Sequence, residues 1–247
     1  MFIQKLPWAG IRVQYESTAV VIDPLFNAPE KFGQPHEPLY PLNEFGPVSA
    51  VLITHTHYDH FDPEAIAEFY GKDIPIYVPR ESLEAALDQA PHLKSVRGAG
   101  IGDSFAVGPL TVTATHSVDG VGDPQIAWIV QGGEKKIIHC GDTLWHGYWW
   151  KIAETYGPFD AACLPVNGAV IAFPGQAPSG QPITLVPEQA AAAAALLGAA
   201  QLIPNHYGVF HHPPYYVQTP DLTDRLTAAA HGKIKLTVLK AKETVSL

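Results

Sequence analysis

The chain is poor in cysteine. Only Cys140 and Cys163 occur in 247 residues, too few for a disulfide scaffold. Both fall in strand-like apolar runs and read as reduced core thiols. Positive charge is also scarce: 15 Lys and Arg stand against 24 Asp and Glu, for a formal net charge of −9. With no basic cluster, the composition argues against a partner that is nucleic acid. Long hydrophobic runs are missing. The longest, Ala190 to Ala200, is too short to cross a bilayer and contains Gly198. Met1 to Trp8 has no apolar signal core, so the expectation is a soluble, cytoplasmic protein with no membrane span. Charge blocks, low-complexity tails and exact repeats are absent as well. What is present is a hydrophobic content of 47%, enough for a large core and incompatible with a disordered chain. The 23 prolines are spread out and suggest many ordered turns. The length suits one sizeable domain, taken as residues 1–247.

Against this background one run stands out: Leu52-Ile53-Thr54-His55-Thr56-His57-Tyr58-Asp59-His60. Three imidazoles and a carboxylate crowd into six residues directly after an apolar strand-like stretch. His and Asp seldom bury unpaired, so core filling explains the run poorly. Imidazole nitrogen favours zinc, iron or manganese over calcium or magnesium. A metal held by His55 and His57 needs a third protein ligand, and one held by Asp59 and His60 needs more. Three further candidates each end a strand-like run. Leu110 to Thr115 alternates with period two and stops at His116. Lys136 to Cys140 runs into Gly141-Asp142-Thr143. Gln201 to Asn205 stops at His206. Strand ends hold side chains more rigidly than free loops do.

HTHYDH, a lone His after a hairpin, GDT and a late His together resemble the metallo-β-lactamase superfamily across residues 55 to 206. The resemblance implies His55, His57 and His116 as one metal site. It implies Asp59, His60 and His206 as a second, with Asp142 bridging the two. Val21-Ile22-Asp23-Pro24, Gly102-Asp103-Ser104-Phe105, Leu164-Pro165-Val166-Asn167-Gly168 and Ile203-Pro204-Asn205-His206-Tyr207-Gly208 resemble one branch. That branch includes L-ascorbate-6-phosphate lactonase and N-acyl-phosphatidylethanolamine phospholipase D. The chain departs from it at Trp8, where the branch often carries His, and in the Gly- and Pro-rich stretch 169–184.

The element pattern is mixed α/β. Strands are expected near 11–15, 18–23, 49–54, 75–78, 104–107, 110–115, 126–131, 135–140, 161–166, 201–204 and 234–239. Helices are expected near 63–70, 80–89, 148–156, 187–198 and 221–230. Asp62-Pro63-Glu64 supplies an N-cap, a first-turn proline and a first-turn acid. The pattern indicates sheets covered by helices; the four-layer αββα sandwich is implied by the resemblance.

Function follows from the paired metals. Two divalent cations, zinc by default with manganese or iron as alternatives, sit roughly 3.5–4 Å apart in such sites and share a hydroxide that attacks the substrate. Asp142 would hold both metals. Asp59 would bind one, orient the hydroxide and pass a proton to the leaving group. The substrate expected is a small-molecule ester, a lactone or phosphodiester. Tyr58, Trp145, His146, Asn167 and Tyr207 adjoin ligands in sequence and are candidate substrate contacts. His211 to Tyr216 reads as a lid loop. Asp23 reads as an orienter of a ligand or as a strand-end cap, and His139 as a hydrogen-bonded core residue. Two alternatives remain at this point: a thiolester or other ester hydrolase of the same fold, and a non-enzymatic metal-binding module. Substrate, native metal and oligomeric state are open.

Overall fold

The computed structural model describes residues 1–247. Two seven-stranded sheets face each other. The first runs from edge to edge as β16 (Thr244–Ser246), β1 (Phe2–Lys5), β2 (Ile11–Tyr15), β3 (Thr18–Ile22), β4 (Ala50–Leu52), β5 (Ile76–Pro79) and β6 (Val96–Ala99). The second runs as β15 (Lys235–Leu236), β13 (Gln201–Asn205), β11 (Ala161–Pro165), β10 (Lys135–His139), β9 (Ile126–Gly132), β8 (Leu110–His116) and β7 (Ser104–Val107). In each sheet an antiparallel half joins a parallel half. Strands β3 to β6 are parallel, as are β10, β11, β13 and β15.

Side-chain alternation decides which residues face which layer. Val13 pairs with Val20 and Ile11 with Ile22. All four enter the core between the sheets, where Val112, Trp128, Val130, Ile137, Cys163 and Ile203 meet them from the other side. The intervening Val21 and Val51 face outward, under α1 (Pro63–Phe69) and α2 (Leu83–Gln89). On the second sheet Ala127, Ile129, Ile138 and Leu164 face outward under α3 (Trp149–Tyr156), α4 (Pro187–Leu196) and α5 (Leu222–Ala230). The layers are therefore helix, sheet, sheet, helix. Double burial explains why the central strands read as continuous apolar runs. The small side chains Ala190, Ala191, Ala193 and Ala194 are buried and let α4 lie close on the sheet.

Local signals set the helix ends. The Asp62 carboxylate accepts from Ala65 N at 3.1 Å and also takes Phe26 N and Asn27 N at 3.0 and 2.7 Å. It caps α1 and ties it to the loop after β3. Pro187 opens α4, and Gly198, at φ 66°, follows its end.

The structure departs from expectation mainly in short strands. β1, β6 and β16 are three or four residues each, too brief for a period to emerge, and chain-distant pairing creates them: β1 joins β16 across the whole length of the protein. Expected helix 80–89 begins as a 3-10 turn at Arg80–Ser82. The segment expected as a lid loop contains β14 (Tyr216–Val217), which pairs with β12 (Val170–Ile171). This small ribbon packs with Trp8, Leu25, Phe32, Val209 and Phe210 into a separate apolar cluster. Cys140 and Cys163 are buried and unbridged. No helix is long and apolar enough to cross a membrane.

Trp128 joins the two layers: it is fully buried and its indole N–H donates to Ile53 O at 3.0 Å. Trp128→Ala is expected to lower unfolding free energy by about 3–5 kcal/mol, read from the urea midpoint. Trp150→Ala, at a position 59% exposed, is expected to change it by about 0.5 kcal/mol or less. Equal effects of the two would show that the layers are not closely packed at Trp128.

Candidate metal centre

The parallel strands of both sheets end on the same side of the molecule. β3 ends at Asp23, β4 leads into His55 to His60, β10 into Asp142, and β13 into His206. Such carboxyl ends are where open α/β sheets place ligands. Asp23 organises the first loop. Its Oδ1 accepts from Thr54 N at 2.8 Å, and its Oδ2 accepts from Thr54 Oγ1 at 2.6 Å and lies 2.9 Å from His60 Nδ1. Thr54 Oγ1 lies 3.0 Å from His55 Nδ1. The distal nitrogens of both rings are thereby turned toward the centre. Asp23 is thus both the orienter and the strand-end cap that the sequence offered as alternatives.

Two groups of ligand atoms result. Asp59, His60, Asp142 and His206 form one; His55, His57 and Asp119 form the other. Asp142 reaches toward both. Its Oδ1 is 3.0 Å from His60 Nε2, and its Oδ2 is 2.8 Å from His206 Nε2 and 4.0 Å from His55 Nε2. Asp59 Oδ2 lies 3.4 Å from His206 Nε2 and 3.5 Å from His60 Nε2.

These residues fit a bound cation. His55 Nε2, His60 Nε2 and Asp142 Oδ1 are buried without a hydrogen-bond partner, although the last two are only 3.0 Å apart. Unpaired lone pairs converging on one point are costly unless something positive sits between them. Charge tells the same story. Burial opposes the charged forms throughout. Even so, the Asp142, Asp59 and Asp23 carboxylates raise His60 well above the ordinary imidazole range, and Asp142 raises His206 against its burial. Asp59 and Asp142, also disfavoured by burial, are held below the usual carboxylate range by His60 and His206. His55 is pushed down, first by burial and then by His60 and His57; a neutral imidazole is the form a metal takes. Donors N and O in this ratio suit zinc, manganese or iron.

Of the seven residues read as ligands, six fall in these groups; His116 does not. Its ring stacks on Tyr148, centroids 4.0 Å apart and planes 1° apart. Burial and then Lys151 lower its basicity. Asp119 is the side chain that stands with His55 and His57. Its Oδ2 accepts from Val121 N at 2.9 Å and Asp123 N at 3.1 Å, which fixes the loop after β8. The available signal was the pair of acids in Val118-Asp119-Gly120-Val121-Gly122-Asp123. Asp123 approaches His57 Nε2 at 2.7 Å from the exposed side.

The substrate-contact expectations fare unevenly. A cavity of about 370 Å³ opens on the ligands, lined by His57, Asp59, Asp119 and Asp142 on one side and Phe32, Ile171, Phe173 and Tyr216 on the other. Tyr58 lines it, at its exposed rim. Trp145 does not; it packs edge-on to Trp150, and Trp149 lies at 6.2 Å. His146 stacks on Trp149. Tyr207, next to a ligand on an extended chain, turns away from it and borders a separate cavity with Lys5 and Glu37. Asn167 is fully buried behind Tyr216. His139 is a core residue between Ala9 O at 2.8 Å and Asn205 Nδ2 at 2.9 Å. Sequence reasoning took Tyr216 only as part of a lid loop and missed Lys31 and the role of Trp8. The Trp8 indole N–H donates to Asp59 Oδ2 at 2.9 Å, and its ring lies 4.0 Å from that of His206. Trp8 sits at φ 57°, a region unfavourable for a bulky residue, and Lys5 Nζ, donating to Leu6, Trp8 and Gly10 carbonyls, holds the turn.

A model of the beta-lactamase superfamily domain matches residues 18–207. A UPF0173 metal-dependent hydrolase of Rubrobacter xylanophilus is 29% identical over 221 residues, covering 82% of this chain and 80% of that protein. One of Caldivirga maquilingensis is 26% identical over 255 residues, covering 100% and 98%. Among solved structures, an isothiocyanate hydrolase from Delia radicum gut bacteria superposes with a TM-score of 0.79 at 23% identity, covering 100% of this chain and 99% of that one. A metallo hydrolase from Ignicoccus hospitalis superposes with a TM-score of 0.71 at 23% identity, covering 99% and 97%. At these identities the superpositions establish the fold.

Elemental analysis after metal loading tests the ligand assignment. Asp142→Ala is expected to lose metal and turnover together; full occupancy with normal turnover would remove its bridging role. Asp119→Ala is expected to lose metal from the His55 and His57 group, while His116→Ala retains it. The opposite result for that pair would return His116 to the ligand set.

Proposed function

Because the chain belongs to the beta-lactamase superfamily domain family and is a metal-dependent hydrolase of that fold, we propose that its cavity cleaves a lactone or related ester carrying an apolar arm. The observation that supports this most is the two-sided cavity: ligand carboxylates and imidazoles face a wall of Phe32, Ile171, Phe173 and Ile183. Its volume suits a small molecule. The Rubrobacter and Caldivirga relatives are named as hydrolases, which sets aside the reading as a non-enzymatic metal-binding module.

In this reading His55, His57 and Asp119 would hold one metal ion and Asp59, His60 and His206 a second, with Asp142 within reach of both groups. Divalent cations in such a site lower the pKa of a coordinated water toward neutrality and polarise the bond to be cleaved. The chain's residues do the rest. Asp59, fixed at Oδ2 by Trp8, offers Oδ1 to accept the proton of the attacking water and to deliver it to the departing oxygen. Trp8 and His206 close the back of the site against bulk water. Phe32 and Phe173 receive the apolar arm. Lys31, with Nζ 5.2 and 5.3 Å from their ring centroids, is the one basic side chain lining the cavity.

A phosphodiester is the second reading, and Lys31 is what favours it. Against it stands Asp123, a carboxylate at the same cavity that repels an anionic substrate; the charge of Asp59, Asp119 and Asp142 would be offset by the cations they hold. The branch resemblance is common to both readings, since that branch includes a lactonase and a phospholipase D. A thiolester substrate has less support, because Thr115-His116-Ser117-Val118 lacks the Gly-His-Thr element of thiolester hydrolases.

Zinc- and manganese-loaded protein assayed side by side on acyl and sugar lactones and on bis(p-nitrophenyl) phosphate separates the readings. Lactone cleavage alone is expected, and phosphodiester cleavage alone would reverse the order. Trp8→Phe keeps the ring and removes the N–H to Asp59; a loss of about 10–100-fold in kcat or metal affinity is expected. No change in either would deny Trp8 its part in setting Asp59.

A further inference from the structure

Outside the ligand groups a buried one-way hydrogen-bond relay ends at a residue that lines the cavity. It begins at a backbone N–H. Ala169 N donates to Thr184 Oγ1 at 3.3 Å, so the Thr184 hydroxyl is left to donate its own proton, which goes to Asn167 Oδ1 at 2.6 Å. That bond fixes which end of the Asn167 amide is oxygen. Its nitrogen then donates to the Tyr216 phenol oxygen at 2.8 Å. The phenol is an acceptor in that bond, so its own O–H points elsewhere, and no protein group receives it. Thr184 and Asn167 are fully buried, and Tyr216 is 2% exposed.

The relay is built on a fixed frame. Tyr216 N and O exchange hydrogen bonds with His212 at 2.9 and 2.7 Å, and β14 pairs Tyr216 with Ile171. Its ring is held by Phe32 at 4.7 Å, Trp8 at 6.2 Å and Phe173 at 6.4 Å between centroids. Asn167 O accepts from Thr219 N at 2.7 Å. Tyr216 lines the same cavity as His57, Asp59 and Asp142. An ordinary phenol is protonated at neutral pH, so this one presents a donor there, already oriented and already desolvated.

We propose that the Tyr216 O–H donates a hydrogen bond to the substrate oxygen that gains negative charge when the carbonyl is attacked. No proton is transferred; the bond strengthens as charge builds, which makes it worth more in the transition state than in the bound substrate. Thr184 and Asn167 are positioning residues that keep the phenol proton turned toward the cavity. This assignment rests on the ester-hydrolase reading above and adds to it a catalytic residue that is not a metal ligand.

Tyr216→Phe keeps the ring and removes only the donor. On the best lactone or aryl ester, kcat is expected to fall about 10²–10³-fold, with KM, bound metal and Tm retained. The loss is expected to be the same along a series of aryl esters of rising leaving-group pKa. An unchanged kcat overturns the proposal. A defect that grows along the series overturns it in favour of proton donation to the leaving group. Loss of metal or Tm alongside the rate assigns Tyr216 a structural role and also overturns it. Failure of the wild-type protein to cleave any ester would count against the ester reading alone. Calorimetric binding of phenylphosphonate, whose tetrahedral oxyanion imitates the attacked carbonyl, then decides the question. At least tenfold weaker binding by Tyr216→Phe supports the proposal, and equal binding overturns it.

Discussion

Everything at the centre depends on one buried carboxylate. Asp23 is fully enclosed, and its two oxygens engage Thr54 N, Thr54 Oγ1 and His60 Nδ1. Those contacts pin the loop that carries four candidate ligands to the end of the neighbouring strand. They also fix the face that His60 turns inward and, through Thr54, the face of His55. A carboxylate that accepts three donors in a dry site is a rigid anchor. An apolar residue at the same position would leave a backbone N–H, a hydroxyl and an imidazole N–H buried without partners, each at a cost of about 1–3 kcal/mol.

From that anchor the electrostatics follow. The first sheet contributes His55, His57, Asp59 and His60; the second contributes Asp119, Asp142 and His206. Each set carries negative charge into a place that excludes water. Their imidazoles take up part of that charge, as the upward shifts of His60 and His206 show. What remains unpaired is aimed at shared points between the sheets. The centre is therefore a seam, and anything positive bound in it joins the two halves of the sandwich as well as acting on a substrate.

Much of this was legible in the sequence for a physical reason. The central strands are buried on both faces, so runs such as Thr18–Ile22 and Ile126–Gly132 are largely apolar and bounded by turns. The ligand run is dense enough to identify itself, and Asp142 and His206 follow strands that were equally plain. Three things were not legible. Short strands such as β1 and β16 exist only because distant chain ends meet. The approach of Asp119 to His55 and His57 is set by how the loop after β8 folds back on Thr143, which spacing along the chain does not encode. Neighbours in sequence also proved to be poor neighbours in space. Tyr207 and Trp145 adjoin residues of the site yet point elsewhere, whereas Tyr216, ten residues beyond His206, lines the cavity.

The apolar wall opposite the ligands has a consequence for how such a protein changes over time. Ile171, Phe173, Gln176 and Ile183 all come from the single connection between β11 and α4, and that connection carries no ligand of the metal groups. It enters and leaves at Asn167 and Thr184, which bond to each other at 2.6 Å. The segment is thus clipped at its base and held by the β12–β14 pairing; beyond β12 its length and side chains are free to drift while the clip, that pairing and the metal groups stay as they are. A lineage could exchange one substrate for another by rewriting about ten residues of loop between β12 and Thr184, leaving the ligand groups beneath untouched.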